Sequence, residues 1–320
     1  MKTKRQPLAK QVKLGLAKAF CKFNEFQLAR YSGKNKEWSL KDALFMVHAK
    51  PKDEAQAALW KRLVSGELTT PDTWEVELSA SKDKLASWTR LLKEKKLGGL
   101  ALLRNLRNMV QAGVDRKLIK DALNKMSTER ILPFRFISAA NHAPAYESDL
   151  EDAMFRCLAD MPKLKGHTTL LVDVSGSMGS TVSSKSDISR LDAACGLSML
   201  AREIGEDVSV YTFSNRLVEV APRRGFALKD AIVRSQPHSG TSLGLALRDL
   251  ASGMNADKDR LIIITDEQSR DDVTTPKFDK IYVINVATYQ NGVMYNKKVT
   301  HISGWSESIM SYIQELENLG

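Results

Sequence analysis

After residue 165 the chain alternates between short apolar runs and amphipathic helical patterns. The apolar runs are rich in Val, Ile and Leu rather than strictly alternating, which is typical of strands buried on both faces. Strand and helix alternation of this kind predicts an α/β doubly wound domain, with a parallel sheet covered by helices on both sides. We predict strands at 167–174, 208–213, 261–265 and 281–286, and helices at 191–204, 228–233, 243–254 and 307–319.

The first half of the chain has helical patterns without a strand signal between them. Ser39 is followed three residues later by Asp42, a capping-box pair that predicts a helix start, and Ser148 with Glu151 predicts another. Short helices joined by short turns favour antiparallel helical hairpins stacked side by side. The remaining helices are predicted at 8–23, 54–64, 82–95, 100–112 and 114–126.

A Pro- and Gly-containing stretch at 161–166 separates the helical pattern of the first half from the strand and helix alternation of the second. We therefore predict a helical domain at 1–163 and the α/β domain at 164–320. The charge divides at the same place. Residues 1–165 hold 32 Lys and Arg against 19 Asp and Glu, a net charge of +13, whereas residues 166–320 hold 16 against 19, a net charge of −3. A positive field of this size concentrates polyanions, so nucleic acid is the leading class of partner, and a solvated basic surface is the alternative.

The hydropathy pattern gives no sign of a membrane protein. No apolar run reaches the roughly 20 residues needed to cross a bilayer, and the Lys-rich start has no apolar stretch behind it. We therefore expect a cytoplasmic protein with no membrane partner. The three cysteines, Cys21, Cys157 and Cys195, lack the paired spacing of a zinc site or a disulfide framework, so we expect core thiols.

Three loops of the predicted α/β domain carry side chains with oxygen atoms. The first predicted strand runs into Asp173-Val174-Ser175-Gly176-Ser177, in which alternate residues leave the strand on the same side. Thr241 precedes a predicted helix, and Asp266 directly follows another core strand. Ligands of parallel sheets bind at the carboxyl ends of the strands, so we expect Asp173, Ser175, Ser177, Thr241 and Asp266 to converge there.

The chemistry of these five side chains selects a hard divalent cation, with Mg²⁺ as the first candidate and Mn²⁺ as the second. Only two carboxylates are offered beside neutral hydroxyls, so the ion stays electrophilic and keeps a coordination position for an external carboxylate, phosphate or water. The alternative is that residues 175–178 form an ordinary turn and that Asp266 is a coincidental acid at a strand end.

We do not expect an enzyme. A haloacid-dehalogenase-like phosphatase also places an acid after its first strand, but it needs a second acid two residues later, and Ser175 occupies that position. His238 lies near the Thr241 loop and could act as a base, but a loop histidine is the simpler interpretation.

The pattern Asp173-x-Ser175-x-Ser177, then Thr241, then Asp266, resembles the metal-ion-dependent adhesion site of von Willebrand factor A domains. In that family the first three residues coordinate the cation directly, and the Thr and the second Asp coordinate it directly or through water. The resemblance implies the same roles here. A partner protein whose acidic side chain completes the metal shell is the expectation of a rival interpretation, a protein-interaction module.

Three segments of the helical half resemble TROVE-domain proteins, the family of the Ro autoantigen. Residues 38–44 (Trp-Ser-Leu-Lys-Asp-Ala-Leu) run to His48-Ala49-Lys50-Pro51 as a helix of that family does, and 102–106 and 132–134 resemble later segments in the same order. These proteins join HEAT-like helical repeats to a terminal von Willebrand factor A domain. The resemblance therefore implies an α-helical, HEAT-like repeat arc, a partial TROVE domain, ahead of the α/β domain.

Family members usually have several more repeats ahead of the segment that corresponds to Lys10–Tyr31. We therefore expect either a fragment or split gene product, or a protein with a short helical arc. In the second case, passage of RNA ends through a closed ring of repeats is not expected, whereas binding on the outer basic surface is less affected.

The resemblance implies binding of a structured small noncoding RNA, such as a Y RNA, and no DNA is expected. His48 occupies the position of a histidine that contributes to Y RNA binding in the family; the alternative is a helix-end histidine that only packs or caps. The candidate phosphate contacts are Arg30, Lys34, Lys36 and Lys41, each of which could instead be a solvated charge, and Arg104 is a weaker candidate. The rival interpretation is a metal-dependent protein-interaction module without an RNA function.

Overall fold

The computed structural model describes residues 8–31, 38–69, 73–129, 131, 133–159, 161–184, 186–253, 259–287, 292–294, 297–306 and 308–319. The chain forms two compact units, Met1–Ser87 and Trp88–Gly320. The described elements before residue 164 are helices, and the sheet begins at Leu164. A domain boundary near residue 163 stays a prediction. No helix within the described ranges is both long and apolar enough to cross a membrane.

The first unit is helical. Its helices are α1 (Lys10–Phe20), α2 (Glu25–Tyr31), α3 (Leu40–Val47), α4 (Glu54–Ser65), α5 (Trp74–Ala80) and the start of α6 (Lys84–Lys93). The capping box predicted at the start of α3 is confirmed, because the Asp42 amide donates to Ser39 Oγ at 3.1 Å and the Ser39 amide donates to Asp42 Oδ2 at 3.0 Å.

Aromatic and aliphatic residues of four helices form the core of the first unit. The rings of Phe20 and Trp60 meet edge to face with centroids 6.2 Å apart. An ion pair joins α2 to α4, since Arg62 donates to both carboxylate oxygens of Glu25 at 3.1 and 2.8 Å and lowers the pKa of Glu25 to about 2. The buried members of this core are Phe20, Leu28, Leu44, Val47, Trp60 and Leu63.

The second unit begins with helices and continues as a sheet domain. Its helices are α7 (Gly99–Gln111), α8 (Arg116–Lys125), α9 (Phe134–His142), α10 (Glu147–Leu158), α11 (Arg190–Ile204), α12 (Gly225–Val233), α13 (Leu243–Gly253) and α14 (Ser308–Leu319). Its strands are β1 (Leu164–Asp173), β2 (Gly205–Phe213), β3 (Leu217–Val220), β4 (Arg260–Thr265), β5 (Lys280–Asn285) and β6 (Val299–Ser303).

The six strands form one sheet in the order β3-β2-β1-β4-β5-β6. Only β3 runs antiparallel to its neighbour, so the predicted parallel core is confirmed. Helix α13 covers one face, where Leu247 packs with Leu171 and Ile263. Helices α11 and α14 lie on the other face, and there the Tyr282 hydroxyl donates to Glu317 Oε1 at 3.1 Å. Because β1 and β4 are neighbours, the residues that follow them meet at one edge.

Helices α9 and α10, which precede the sheet, pack on helices that cover it, namely α11 and α12. A Cβ added at Gly196 of α11 would lie 2.3 Å from Phe134 Cε1 of α9, so glycine is needed for this close approach. The ring of Phe134 also meets Trp305 edge to face at 4.9 Å between centroids. These contacts explain why α7 to α10 belong to the same compact unit as the sheet.

The predicted capping box at Ser148 and Glu151 is wrong. Helix α10 begins at Glu147, directly after a short 3-10 helix at Pro144–Tyr146, and no side chain caps it. Glu151 instead accepts a hydrogen bond from the amide of Phe226 at 2.6 Å, at the start of α12. A tertiary contact has replaced the local one that the sequence spacing suggested.

Candidate metal centre and nucleic-acid surface

Asp173 ends the central strand β1 and is fully buried. Its Oδ1 accepts a hydrogen bond from the Ser175 amide at 2.8 Å, and its Oδ2 accepts one from Thr265 Oγ1 at 2.7 Å. Thr265 is the last residue of the neighbouring strand β4. The hydroxyl of Thr265, which the sequence analysis did not single out, thus fixes the carboxylate of Asp173 at the edge of the sheet.

The two candidate serines follow Asp173 closely. Ser175 Oγ lies 3.2 Å from Ser177 Oγ, and residues 176–179 form a single 3-10 turn. The amide of Gly176 donates to the carbonyl of Ser239 at 3.1 Å. This bond ties the Asp173 loop to the loop that contains Thr241.

The Thr241 loop is held by Ser214, which follows β2. Ser214 Oγ accepts from the Ser239 amide at 3.0 Å and donates to the carbonyl of Gly240 at 2.8 Å. The carbonyl of Thr241 accepts from the Arg270 amide at 3.0 Å, which joins this loop to the one after β4. The three predicted loops are therefore hydrogen-bonded to one another, and Thr241 is buried between them.

Asp266 is also fully buried, but it has a cationic partner that the sequence analysis missed. Arg190 Nη1 lies 3.0 Å from Asp266 Oδ2 and 3.2 Å from the carbonyl of Ser177. Arg190 is the first residue of α11, whose start is fixed by a capping box between Ser189 and Asp192. That capping box is readable in the sequence and marks the start of the helix, but it does not reveal the partner of Arg190.

The two buried carboxylates therefore differ in their surroundings. Asp266 pairs with a guanidinium, whereas the hydrogen-bond partners of Asp173 among the described residues are an amide and hydroxyl groups. Burial, together with the smaller effect of the nearby charge of Asp266, raises the pKa of Asp173 from its usual value to about 6, although its hydrogen bonds act in the opposite direction. A carboxylate so poorly compensated, surrounded by hydroxyl oxygens, is chemically suited to a hard cation.

Glu267, the third acid of this edge, has other partners. Its backbone is left-handed, with φ of 57°. Its Oε2 accepts from the Gly292 amide at 2.6 Å, and its Oε1 lies 3.5 Å from His301 Nδ1. The side chain thus holds the segments before and within β6 rather than joining the candidate ligands.

Asp271 positions the Thr241 loop from the far side. Its carboxylate accepts from the amides of Gly244 and Leu245 at 3.0 and 2.7 Å, at the first turn of α13, and these bonds help to lower its pKa.

We expect Asp271→Ala to lower the free energy of unfolding by about 1–2 kcal/mol, as loss of a helix cap does. Urea denaturation at pH 7 would measure this. The stability that Asp271 contributes in the wild type should decline as the pH falls through its lowered pKa. Unchanged stability of the Asp271→Ala variant would contradict the capping role of Asp271.

The sequence holds one Gly-x-Ser-x-Gly pentapeptide, at 240–244. In a hydrolase this pattern forms a strained turn between a strand and a helix. Here the element before the pentapeptide is α12, and Ser242 directly precedes α13, so the required strand is missing from this described stretch. His238 is exposed, and its Nε2 lies 2.8 Å from the carbonyl of Val233, in keeping with a loop histidine.

The candidate RNA-binding residues belong to the first unit. Arg30 is exposed at the end of α2 and lies 3.2 Å from Glu75 Oε1, and Lys41 Nζ donates to the carbonyl of Val64 at 3.1 Å. His48 caps the end of α3 in a left-handed conformation, with its side chain exposed. Lys34 and Lys36 lie outside the described residues.

Two family models match the chain in succession. The TROVE domain matches residues 61–172, and the von Willebrand factor type A domain matches residues 168–268. The chain joins a TROVE domain to a von Willebrand factor type A domain. All five candidate metal ligands lie within the von Willebrand match, whereas the candidate RNA-binding residues at 30–48 precede the TROVE match.

Known proteins resemble this chain of a TROVE and a von Willebrand factor type A domain in sequence and in fold. Telomerase protein component 1 of Mus musculus is 34% identical, and that of Rattus norvegicus 33% identical, over 89 residues, which is 26% of this chain but only 3% of either relative. The crystal structure of the Deinococcus radiodurans RO (RSR) protein superposes with a TM-score of 0.65 at 21% identity, covering 93% of this chain and 75% of that one. The superposition confirms the predicted fold class.

Proposed function

We propose that this chain is a non-enzymatic, cytoplasmic RNA-binding protein of small noncoding RNA metabolism or RNA quality control. The observation that carries the proposal is the TROVE-domain match at residues 61–172, because that family suggests RNA binding. The net charge of +13 over residues 1–165 supports it, since a phosphate backbone is attracted by such a field. A structured small RNA, of the kind that Ro-like proteins bind, is the proposed ligand.

The first unit offers cationic side chains that RNA can engage. The ion pair of Arg30 with Glu75 is a surface pair whose two side chains are partly exposed. Such pairs contribute little free energy, so a phosphate can compete for Arg30. Lys41 bonds a carbonyl oxygen, which leaves its charge unneutralised. His48 presents an exposed imidazole near these residues in sequence. We propose that Arg30, Lys34, Lys36, Lys41 and His48 contact the RNA.

The RNA proposal is tested by salt-dependent binding of a structured small RNA. We expect the triple variant Lys34→Gln, Lys36→Gln, Lys41→Gln to bind about tenfold or more weakly, because three phosphate contacts are lost. The dependence of log affinity on log salt should also become shallower, by about 0.9 per lost contact if the RNA behaves as duplex DNA does. Filter binding across a salt series measures both quantities. A matched control, Arg216→Gln, Arg223→Gln, Lys297→Gln, removes the same charge from exposed positions of the other domain. Equal losses in both variants, or no RNA retained by the wild type at modest salt, would contradict the proposal.

The second part of the proposal is a divalent cation, Mg²⁺ or Mn²⁺, held by Asp173, Ser175, Ser177, Thr241 and Asp266. The supporting observation is the buried, poorly compensated carboxylate of Asp173 beside two hydroxyl groups. When bound, the cation would supply an electrophilic coordination position for an external carboxylate or phosphate. Arg190 would neutralise part of the negative charge of Asp266. The protein ligands would then leave part of the positive charge of the cation uncompensated.

A metal-dependent protein-interaction module is the second candidate function. It is favoured by the two-carboxylate ligand set, which leaves the cation able to accept an acidic side chain of a partner protein. Loss of a protein partner in Asp173→Ala, with unchanged RNA affinity, would assign the metal centre to that role. Loss of RNA affinity in the same variant would instead place the metal centre in RNA binding.

A further inference from the structure

A small cavity of about 230 Å³ lies between α7 and α9 in the TROVE domain. Its floor is apolar, since Leu103, Leu106 and Ala139 are buried there. Pockets that enclose a drug-sized ligand usually measure about 300–1,000 Å³. This cavity is smaller, so it suits one small chemical group rather than a whole cofactor.

The walls of the cavity are cationic and polar. Arg104 and Arg107 are three residues apart on α7, and Arg135, Ser138 and His142 follow one face of α9. Residues three or four apart lie side by side on a helix, so both helices turn a polar stripe towards the same space. The three arginines are exposed and therefore accessible from solvent.

These positive charges have little compensation from the protein. Neither α7 nor α9 contains an Asp or Glu, and every described residue that lines the cavity is neutral or basic. Within the described ranges, Arg104, Arg107 and Arg135 make no hydrogen bond or ion pair. Asp187 lies outside the cavity lining; its Oδ2 is 3.5 Å from His142 Nε2 and its side chain is exposed.

Three guanidinium groups around one cavity repel one another, and a bound anion would reverse that unfavourable energy. Arginine presents planar, paired N–H donors that match the oxygens of a phosphate, and it loses less hydration than lysine when it binds one. The small volume, the cationic walls and the hydroxyl of Ser138 together fit a phosphate group better than a carboxylate on a bulky side chain.

We infer that this cavity, which we name the arginine pocket, binds a phosphate group of an RNA strand. Arg104, Arg107 and Arg135 donate to its oxygen atoms, and Ser138 and His142 lie beside them as further donors. The identity of the phosphate as RNA rests on the proposed function, whereas the preference of the pocket for phosphate does not. The structure thus joins Arg104, a weak candidate by sequence, to two arginines that the sequence pattern did not connect with it.

The first test uses inorganic pyrophosphate as the probe. We expect calorimetry to detect pyrophosphate uptake by the full chain and its loss in the variant Arg104→Gln, Arg107→Gln. The variant should keep its melting temperature, because these side chains make no hydrogen bonds within the described ranges. The control Arg216→Gln, Arg223→Gln removes two exposed arginines of the other domain and should bind as the wild type does.

The second test uses a single-stranded RNA, with and without a 5′-phosphate, in fluorescence anisotropy. We expect the Arg104→Gln, Arg107→Gln variant to bind about tenfold more weakly, with a salt slope lower by about 0.7, the value for one phosphate contact on a single strand. A loss confined to the 5′-phosphorylated RNA would identify a terminal phosphate, and an equal loss for both RNAs an internal one. Both results support the pocket.

The outcomes separate the pocket from the proposed function. Pyrophosphate binding that is absent from the wild type, or unchanged in the variant, overturns the arginine pocket whatever the RNA result. Pyrophosphate binding that is lost in the variant, together with unchanged RNA affinity, overturns the assignment to RNA and leaves a pocket for a free phosphate compound. Failure of the wild type to bind any RNA overturns the proposed function.

Discussion

Replacing Arg190 by methionine is expected to lower the free energy of unfolding of the metal-free protein by about 3–5 kcal/mol. Arg190 is the cationic partner of the fully buried Asp266, at 3.0 Å, and it also donates to the carbonyl of Ser177. Methionine keeps the apolar part of the side chain, so the variant isolates the lost charge. The Asp266 carboxylate is then left buried without compensation, which is the costly event.

Urea denaturation in EDTA and in millimolar Mg²⁺ measures the effect. A divalent cation at the candidate site would replace the missing positive charge, so Mg²⁺ should stabilise Arg190→Met at least as strongly as the wild type. The double variant Arg190→Met, Asp266→Asn removes both charges and should recover most of the lost stability in EDTA. Arg248→Met, at an exposed ion pair with Asp271, should change the stability by less than about 1 kcal/mol. Equal unfolding midpoints for Arg190→Met and the wild type in EDTA would rule out this role of the ion pair.

Replacing Asp173 by asparagine is expected to stabilise the metal-free protein at pH 7 by up to about 3 kcal/mol, and to remove any stabilisation by Mg²⁺. The pKa of Asp173 is raised to about 6 in the folded chain, about two units above its usual value, and each unit corresponds to about 1.4 kcal/mol. Because the folded pKa is the higher one, the folded state holds the proton more tightly. The wild type therefore gains stability as the pH falls below 6 and loses it as the pH rises through 6.

The difference in stability between the wild type and Asp173→Asn isolates this titration from all others. In EDTA it should grow, in favour of the variant, as the pH rises from about 4 to about 6, and it should level off above the raised pKa. Asp249→Asn, on the exposed surface of α13, supplies the matched control and should show no such trend. Parallel stability curves for the wild type and Asp173→Asn would contradict the raised pKa.

The core strands and most of the longer helices were predictable because they repeat a pattern that their own burial imposes. The four central strands carry continuous apolar runs, and the structure places them side by side. The edge strands β3 and β6 were missed. Strand β3 has only four residues, and β6 contains Thr300 and His301, so neither has the apolar run that marks a buried strand.

The candidate metal centre was predictable where its residues depend on local order. Asp173, Ser175 and Ser177 follow one strand, and the edge at which Thr241 and Asp266 lie follows from the parallel sheet. Metal binding itself stays a prediction. Arg190 was not predictable from spacing alone, because its partner Asp266 is 76 residues away and the pair forms only when α11 and β4 are both in place.

The arginine pocket was likewise not predictable from spacing along the sequence. Arg104 and Arg107 are neighbours on α7, but their relation to Arg135 depends on how α7 packs against α9. Periodicity within one helix shows which residues share a face, and it carries no information about the facing helix. The candidate RNA contacts of the first unit were grouped by their proximity in sequence, and they stay predictions: Arg30, Lys34, Lys36, Lys41 and His48.

Sequencing of the RNA that copurifies with the intact chain tests most directly whether this is an RNA-binding protein. We expect a small set of structured noncoding RNAs to be enriched over the input, and their recovery to fall in the Lys34→Gln, Lys36→Gln, Lys41→Gln variant and in Arg104→Gln, Arg107→Gln. The charge-matched variants of the other domain should recover the same RNAs as the wild type. Recovery of no RNA above background at modest salt, or of RNAs in proportion to their cellular abundance, would contradict the proposed function.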